Sequence, residues 1–203
     1  MVKLKTEKLR LIKQICSQAG IARTETLRKN GITSRDIKAL VDENLLFRIR
    51  QGHYIWHEGV DALSDIEIIT KLIPDGVLCL FSAVSYYGLS TVNPTEINIA
   101  LPRNVVPPVL PENLHIKVYR MTDRHFNLGI VEVEVENVMV KMFDMEKTVC
   151  DCFKYDKEIE KAIAIEVLKN YIAKGACNIQ KLLEYAKIMG KKKTILPYLE
   201  AIL

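Results

Sequence analysis

Within the first 56 residues the hydrophobic period of the chain changes once, and that change limits what the segment can become. Leu9, Ile12, Cys16 and Ala19, flanked by Leu11 and Ile15, recur at helical spacing, whereas Phe47-Arg48-Ile49-Arg50 alternates apolar and basic. The helical period buries one stripe of a helix, and the alternation buries one face of a strand. Helices therefore come first and strands second. The first helix is expected to stop at Gly20, since glycine readily takes the left-handed conformation that ends helices. A short second helix is expected from about Thr24 to Asn30, closed by Gly31. Thr33 or Ser34 then offers an N-cap hydroxyl, and Asp36 puts a negative charge where the helix dipole favours it. The third helix is expected to run to about Asn44, with Ile37, Leu40 and Val41 turned inward. Gln51-Gly52 supplies a turn and His53-Tyr54-Ile55-Trp56 a second strand, so the segment ends in a β-hairpin. Helix, helix, turn, helix, hairpin is the order of a winged helix-turn-helix.

Charge points the same way. Residues 1–60 hold twelve Lys and Arg against six Asp and Glu; the rest hold seventeen against nineteen, and the whole chain nets +4. A cationic excess confined to one segment suits an anionic polymer. The buried stripe of the third helix leaves Ser34, Arg35 and Lys38 free near its N-terminal end, where helix-turn-helix proteins concentrate base contacts. Arg35 has the donors for a bidentate bond to guanine, and Lys38 suits a phosphate or a base. In the hairpin, Arg48 and Arg50 are expected on one face, away from Phe47 and Ile49, with Gln51, Gly52 and His53 at the tip. That arrangement suits backbone or minor-groove contact. The candidate contacts to double-stranded DNA are thus Thr33, Ser34, Arg35, Lys38, Arg48, Arg50, Gln51 and His53.

Residues 57–63 read as a connector between a domain of residues 1–60 and one of residues 64–203. Ser64-Asp65-Ile66-Glu67 has capping-box spacing and opens a helix to about Ile73. A turn at Pro74-Asp75-Gly76, a strand from Val77 to Leu80 and a helix from Ser82 to Tyr87 follow. Glu96–Leu101, Leu114–Tyr119, Ile130–Val135 and Val138–Met142 are strand candidates, and from Asp144 the pattern is helical with breaks near Gly175 and Gly190. The expected fold is α+β: a winged helix-turn-helix, then a mixed domain with a small, largely antiparallel sheet and C-terminal helices.

Other chemistries find less support. No window approaches the ~20 apolar residues of a membrane helix, and Met1-Val2-Lys3-Leu4-Lys5 does not resemble a signal peptide, so a cytoplasmic protein without membrane contact is expected. Cys16, Cys79, Cys150, Cys152 and Cys177 are scattered, and no second cysteine pair or nearby histidine completes Cys150-x-Cys152 into a zinc site; reduced, partly buried thiols are expected. His53 and His57 lack a placed third ligand, and His115 and His125 stand alone. No cofactor is expected. Glu132, Glu134 and Glu136, with Lys141, Asp144, Glu146 and Asp151, offer raw material for a metal-dependent nuclease. Interleaving with Val131, Val133 and Val135 instead describes a sheet with one wet face. Asp144 reads as an N-cap, and Glu146 and Asp151 as partners of Lys147 or of neighbouring helices. Catalysis is not expected.

Several segments in order resemble the AbiEi family, the antitoxins and transcriptional regulators of type IV toxin–antitoxin systems. They are Gly20-Ile21-Ala22-Arg23, Gly31-Ile32-Thr33-Ser34-Arg35 through Leu45, and Arg48-Ile49-Arg50-Gln51-Gly52-His53-Tyr54. Phe81-Ser82-Ala83 with Tyr87-Gly88-Leu89, and Phe143-Asp144-Met145-Glu146-Lys147-Thr148-Val149-Cys150-Asp151, continue the likeness. It covers most of residues 5–155. Gln51, His53 and Lys147 depart from the family's usual Arg, apolar residue and Arg. The resemblance implies a repressor of its own operon that also counteracts a nucleotidyltransferase-like toxin. A winged-helix adaptor that binds only protein is the main alternative, and a nuclease with its own DNA-binding domain the other.

Overall fold

The computed structural model describes residues 6–43, 45–56, 64–107 and 114–203, which fold as α+β with ten helices and two small sheets among them. They form two compact units: the described residues up to Pro74 with Leu114, and Asp75–Pro107 with His115–Leu203. The connector expected at 57–63 lies outside the described residues. The helix after it, α4 (Asp65–Leu72), groups with the first unit.

The first unit begins with α1 (Thr6–Ala19), β1 (Ala22–Arg23), α2 (Thr24–Lys29), α3 (Ser34–Asp42), β2 (Leu46–Arg50) and β3 (His53–Trp56). Helical spacing places Ile12 and Cys16 of α1 on one face, where they meet Leu27, Ile32, Ile37, Leu40, Leu46 and Tyr54 in a single core. Between α2 and α3 the chain turns through Gly31 at φ +77°, a conformation in which glycine carries no Cβ strain. Helix α3 ends at Asp42, and Asn44, where it was expected to end, lies outside the described residues. Strand β1 has no sequence signature, because two residues show no period. It pairs antiparallel with β3 (Ala22 with Tyr54, Arg23 with His53), so the sheet order is β1-β3-β2.

In the second unit, β4 (Val77–Leu78), α5 (Leu80–Tyr86), β5 (Ile97–Pro102) and β6 (Ile116–Met121) precede a short α6 (Asp123–Phe126). Strands β7 (Ile130–Val135) and β8 (Val138–Phe143) follow, then α7 (Met145–Lys154), α8 (Lys161–Ala173), α9 (Ile179–Ile188) and α10 (Lys192–Ile202). The sheet order is β6-β5-β4-β8-β7. The expected largely antiparallel sheet is corrected to a mixed one: β4–β5 and β7–β8 are antiparallel, but β5–β6 and β4–β8 are parallel. Parallel neighbours need a crossover connection, and apolar alternation carries no information on strand direction.

The strand expected to reach Leu80 stops at Leu78. Leu80 opens α5 instead, fully buried and at φ +46°, a left-handed conformation that a leucine holds only when its surroundings impose it. Cys79 gives α5 no side-chain cap. Buried Asn98 of β5 takes that role: its side-chain oxygen accepts from the Phe81 N–H at 3.2 Å, and its own N–H donates to Ser82 Oγ at 2.8 Å. Helix α7 is the centre of the unit, buried from Glu146 through Phe153 and packed on α5, α8 and α9.

Candidate nucleic-acid interface

The N-terminal end of α3 is fixed by two residues within one turn and by a third from α1. Thr33 is the N-cap: its Oγ1 accepts from the Asp36 N–H at 3.2 Å, while Asp36 Oδ2 accepts from the Thr33 N–H at 2.9 Å. This capping box satisfies two backbone donors that the helix itself leaves orphaned. Lys8 of α1 adds a salt bridge to the same Asp36 oxygen at 2.8 Å. The hydrogen bond from Lys8 and that from the Thr33 backbone hold the Asp36 carboxyl down to about 2. The start of the helix is thereby tied to a second helix.

On this support, Ser34, Arg35 and Lys38 are exposed. Arg35 and Lys38 stand three residues apart and so lie next to each other on one helix face. Neither is paired with a carboxylate among the described residues. The Ser34 hydroxyl accepts from Arg28 Nη2 of α2 at 2.8 Å. Arg28 was not among the residues singled out from the sequence, although the basic pair Arg28-Lys29 closing α2 was visible. Only the turn at Gly31 brings it beside Ser34. Thr33, by contrast, spends its side chain on the cap.

The hairpin departs from expectation. Arg48 pairs with Tyr54 but Arg50 with His53, so Ile49 is an extra residue, a β-bulge. The bulge interrupts the strict alternation on which a shared face for Arg48 and Arg50 was expected, and Phe47, expected on the face away from them, is 48% exposed. Arg48 is exposed; the Arg50 side chain lies outside what the structure describes. Gln51 is exposed at the turn, and its carbonyl lies 3.2 Å from His53 Nδ1. The Thr24 N–H donates to the Gly52 carbonyl at 2.8 Å, fastening the turn to the start of α2. Half-buried His53 faces Arg23 across the sheet and shares a cleft with Arg23, Thr26 and Lys71. His57 lies outside the described residues.

Of the carboxylates of the nuclease alternative the structure brings together only Asp144 and Glu146, both on Lys181, while the glutamates of β7 are exposed on a strand and Asp151 belongs to a buried ion pair. Glu132 and Glu134 are exposed on β7, opposite Lys141 and Met139. Asp144 caps α7 by accepting from the Lys147 N–H at 2.8 Å, and it also meets Lys181 Nζ at 2.9 Å. Glu146 accepts from the Tyr171 hydroxyl at 2.8 Å and lies 3.2 Å from Lys181 Nζ. Burial by itself would raise the Glu146 carboxyl, but the hydrogen bonds from Tyr171 and Lys181 hold it below its ordinary range. Asp151 forms an ion pair with Lys147 at 2.6 Å, both side chains fully buried. Burial pushes the Asp151 carboxyl up against the pull of that ammonium. Among the described residues no group of three or more His, Cys, Asp or Glu is arranged to hold a metal ion. No described helix is long and apolar enough to cross a membrane.

No protein-family model matches this chain, and no curated protein matches it either.

Proposed function

We propose that the first unit is a winged helix-turn-helix that binds double-stranded DNA, and that the chain is a transcriptional regulator. The observation that carries this reading is the exposed Arg35–Lys38 pair on the outer face of α3, whose first turn is held rigid by the Thr33–Asp36 box and Lys8. In this reading α3 enters the major groove, with Arg35 and Lys38 at base edges and Ser34 at the rim. Arg28 and Arg48 reach phosphates on either side. The order α1, β1, α2, α3, hairpin, with sheet order β1-β3-β2, fits the topology of that domain class. With its turn tied down at Thr24, the hairpin positions the helix rather than reading sequence.

The test is fluorescence anisotropy with a labelled duplex from the region upstream of the gene, titrated at several salt concentrations. Binding should weaken steeply with salt, since cationic contacts release condensed counterions. Arg35→Ala with Lys38→Ala should weaken it by about 2–6 kcal/mol, at roughly 1–3 per base contact. Unchanged affinity in that variant overturns the assignment of α3. No binding even at low salt favours a protein-binding adaptor.

The resemblance to the AbiEi family extends the proposal: the regulator represses its own operon from the cytoplasm and acts as antitoxin to a nucleotidyltransferase-like toxin encoded beside it. Co-expression with the neighbouring gene tests this. A harmless neighbour, or rescue that needs nothing beyond the first unit, refutes it.

A further inference from the structure

Among the described residues the sheet of the second unit ends in β7, whose outer edge pairs with none of them. Apart from the ladder to β8, no hydrogen bond involves residues 130–135 among the described residues. Such an edge presents a row of backbone donors and acceptors ready to pair with another strand, and proteins ordinarily blunt it with charged side chains, proline or a bulge. Strand β7 has no proline, and its pairing with β8 is regular over all six residues; its only such device is the exposed pair Glu132 and Glu134, which disfavours an acidic strand and leaves the edge to a basic one. The hairpin is closed by Glu136 and Asn137 at φ +52° and +63°, the two left-handed residues of a tight type I′ turn.

The two faces of this edge differ. Period two puts Glu132 and Glu134 on one face and Val131, Val133 and Val135 on the other. The glutamates are exposed, Val131 is 36% exposed, and Met139, beside Glu134 on β8, is 60% exposed. On the opposite face the valines continue a row formed by Met142, Val140 and Val138 of β8. The row of buried apolar side chains thus runs outward to a half-exposed valine margin. Lys141, opposite Glu132, offsets one charge, while Glu134 and exposed Glu136 keep the edge acidic.

We propose that β7 is a docking edge for an extended segment of a partner protein that alternates apolar and basic residues, added to the sheet as a sixth strand. Its main chain completes the open ladder, its apolar residues extend the valine row, and its basic residues meet Glu132 and Glu134. Charge complementarity selects this occupant. A second copy offering its own β7 would bring glutamate against glutamate. The opposite edge, β6, carries exposed Lys117 and Arg120, but these are three residues apart and so fall on opposite faces of that strand. This proposal is independent of DNA binding.

The test uses the full chain and a fluorescent peptide of about eight residues alternating valine with lysine, long enough to span a typical strand. Controls are the same peptide N-methylated at alternate amides and a valine–glutamate counterpart. The basic peptide should bind in a salt-sensitive way and slow amide exchange at residues 130–135. Glu132→Lys with Glu134→Lys should weaken it roughly tenfold or more, since two attractive cross-strand charge pairs become repulsive. The N-methylated peptide should not bind to the unaltered chain, a result that does not depend on any variant folding. Equal binding of the N-methylated peptide reduces the effect to charge adhesion and overturns the proposal. So does unchanged binding in the double variant, or self-association of the chain that the double variant abolishes, which would assign the edge to a second copy.

Discussion

Replacing Asp36 tests whether the start of α3 is held as its geometry indicates. The carboxylate accepts from the Thr33 N–H at 2.9 Å and from Lys8 Nζ at 2.8 Å. Two routes give the size of the effect. Half of a capping box contributes about 1 kcal/mol, and a partly exposed salt bridge about 0.5–1. Independently, a carboxyl drawn from 3.8 to about 2 gains roughly 2 kcal/mol of linkage at neutral pH, less some screening because the Lys8 side chain is 38% exposed. Asp36→Ala should therefore destabilise the first unit by about 2 kcal/mol at pH 7, and Asp36→Asn, which keeps an acceptor, by about 1. The sign of the pH dependence follows from the lowered value. The stabilisation is complete above the unfolded value of 3.8 and disappears as pH falls towards 2, so the gap between the chain and its Ala variant should roughly halve by pH 3. Trp56 is the sole tryptophan and lies in the first unit, so urea denaturation followed by its fluorescence reports on this unit alone. A gap below about 0.5 kcal/mol at pH 7, or one of equal size at pH 7 and pH 3, refutes the reasoning.

Three further predictions concern the second unit and the thiols. Lys147→Met strands the buried Asp151 carboxylate and should destabilise by about 3–5 kcal/mol in thermal denaturation followed by circular dichroism, whereas Lys147→Met with Asp151→Leu should recover most of the loss. Gly129→Ala sets a Cβ 2.6 Å from both Asp144 carboxylate oxygens at φ +66°, so it strains the backbone and displaces the α7 cap; a loss of about 2 kcal/mol or more is expected in the same assay. With an aromatic disulfide reagent at mildly alkaline pH, half-exposed Cys177 should react first. Burial protects the other four and pushes the Cys16 thiol up to about 11, so fast labelling of Cys16, Cys79, Cys150 or Cys152 contradicts the packing.

What could be read from the residues alone was whatever depends on neighbours within about four positions. A cap at Thr33 or Ser34 (the structure uses Thr33), the acidic first turn at Asp36, the turn at Gly31, the Gln51-Gly52 hairpin and the Asp144 cap are all of this kind. Each is a short-range hydrogen bond or a local backbone preference, and neither needs the rest of the fold. The exposure of Arg35 and Lys38 followed in the same way, from the phase of Ile37 and Leu40 on one helix. What joins distant segments was decided by the tertiary structure. Strand β1 exists because β3 offers it an edge, the bulge at Ile49 shows only in the register of β2 against β3, and the parallel pairs follow from the path of the chain. The same holds for Arg28 on Ser34, Lys8 on Asp36 and Asn98 at the head of α5. Lys147 and Asp151 show both sides: their spacing of four marks a helical pair, but only the packing of α5, α8 and α9 around α7 takes that pair out of water. Local chemistry sets most of the elements and their caps, though not β1 or the start of α5. Packing, by excluding solvent and bringing remote edges together, sets which of their polar groups remain available to another molecule.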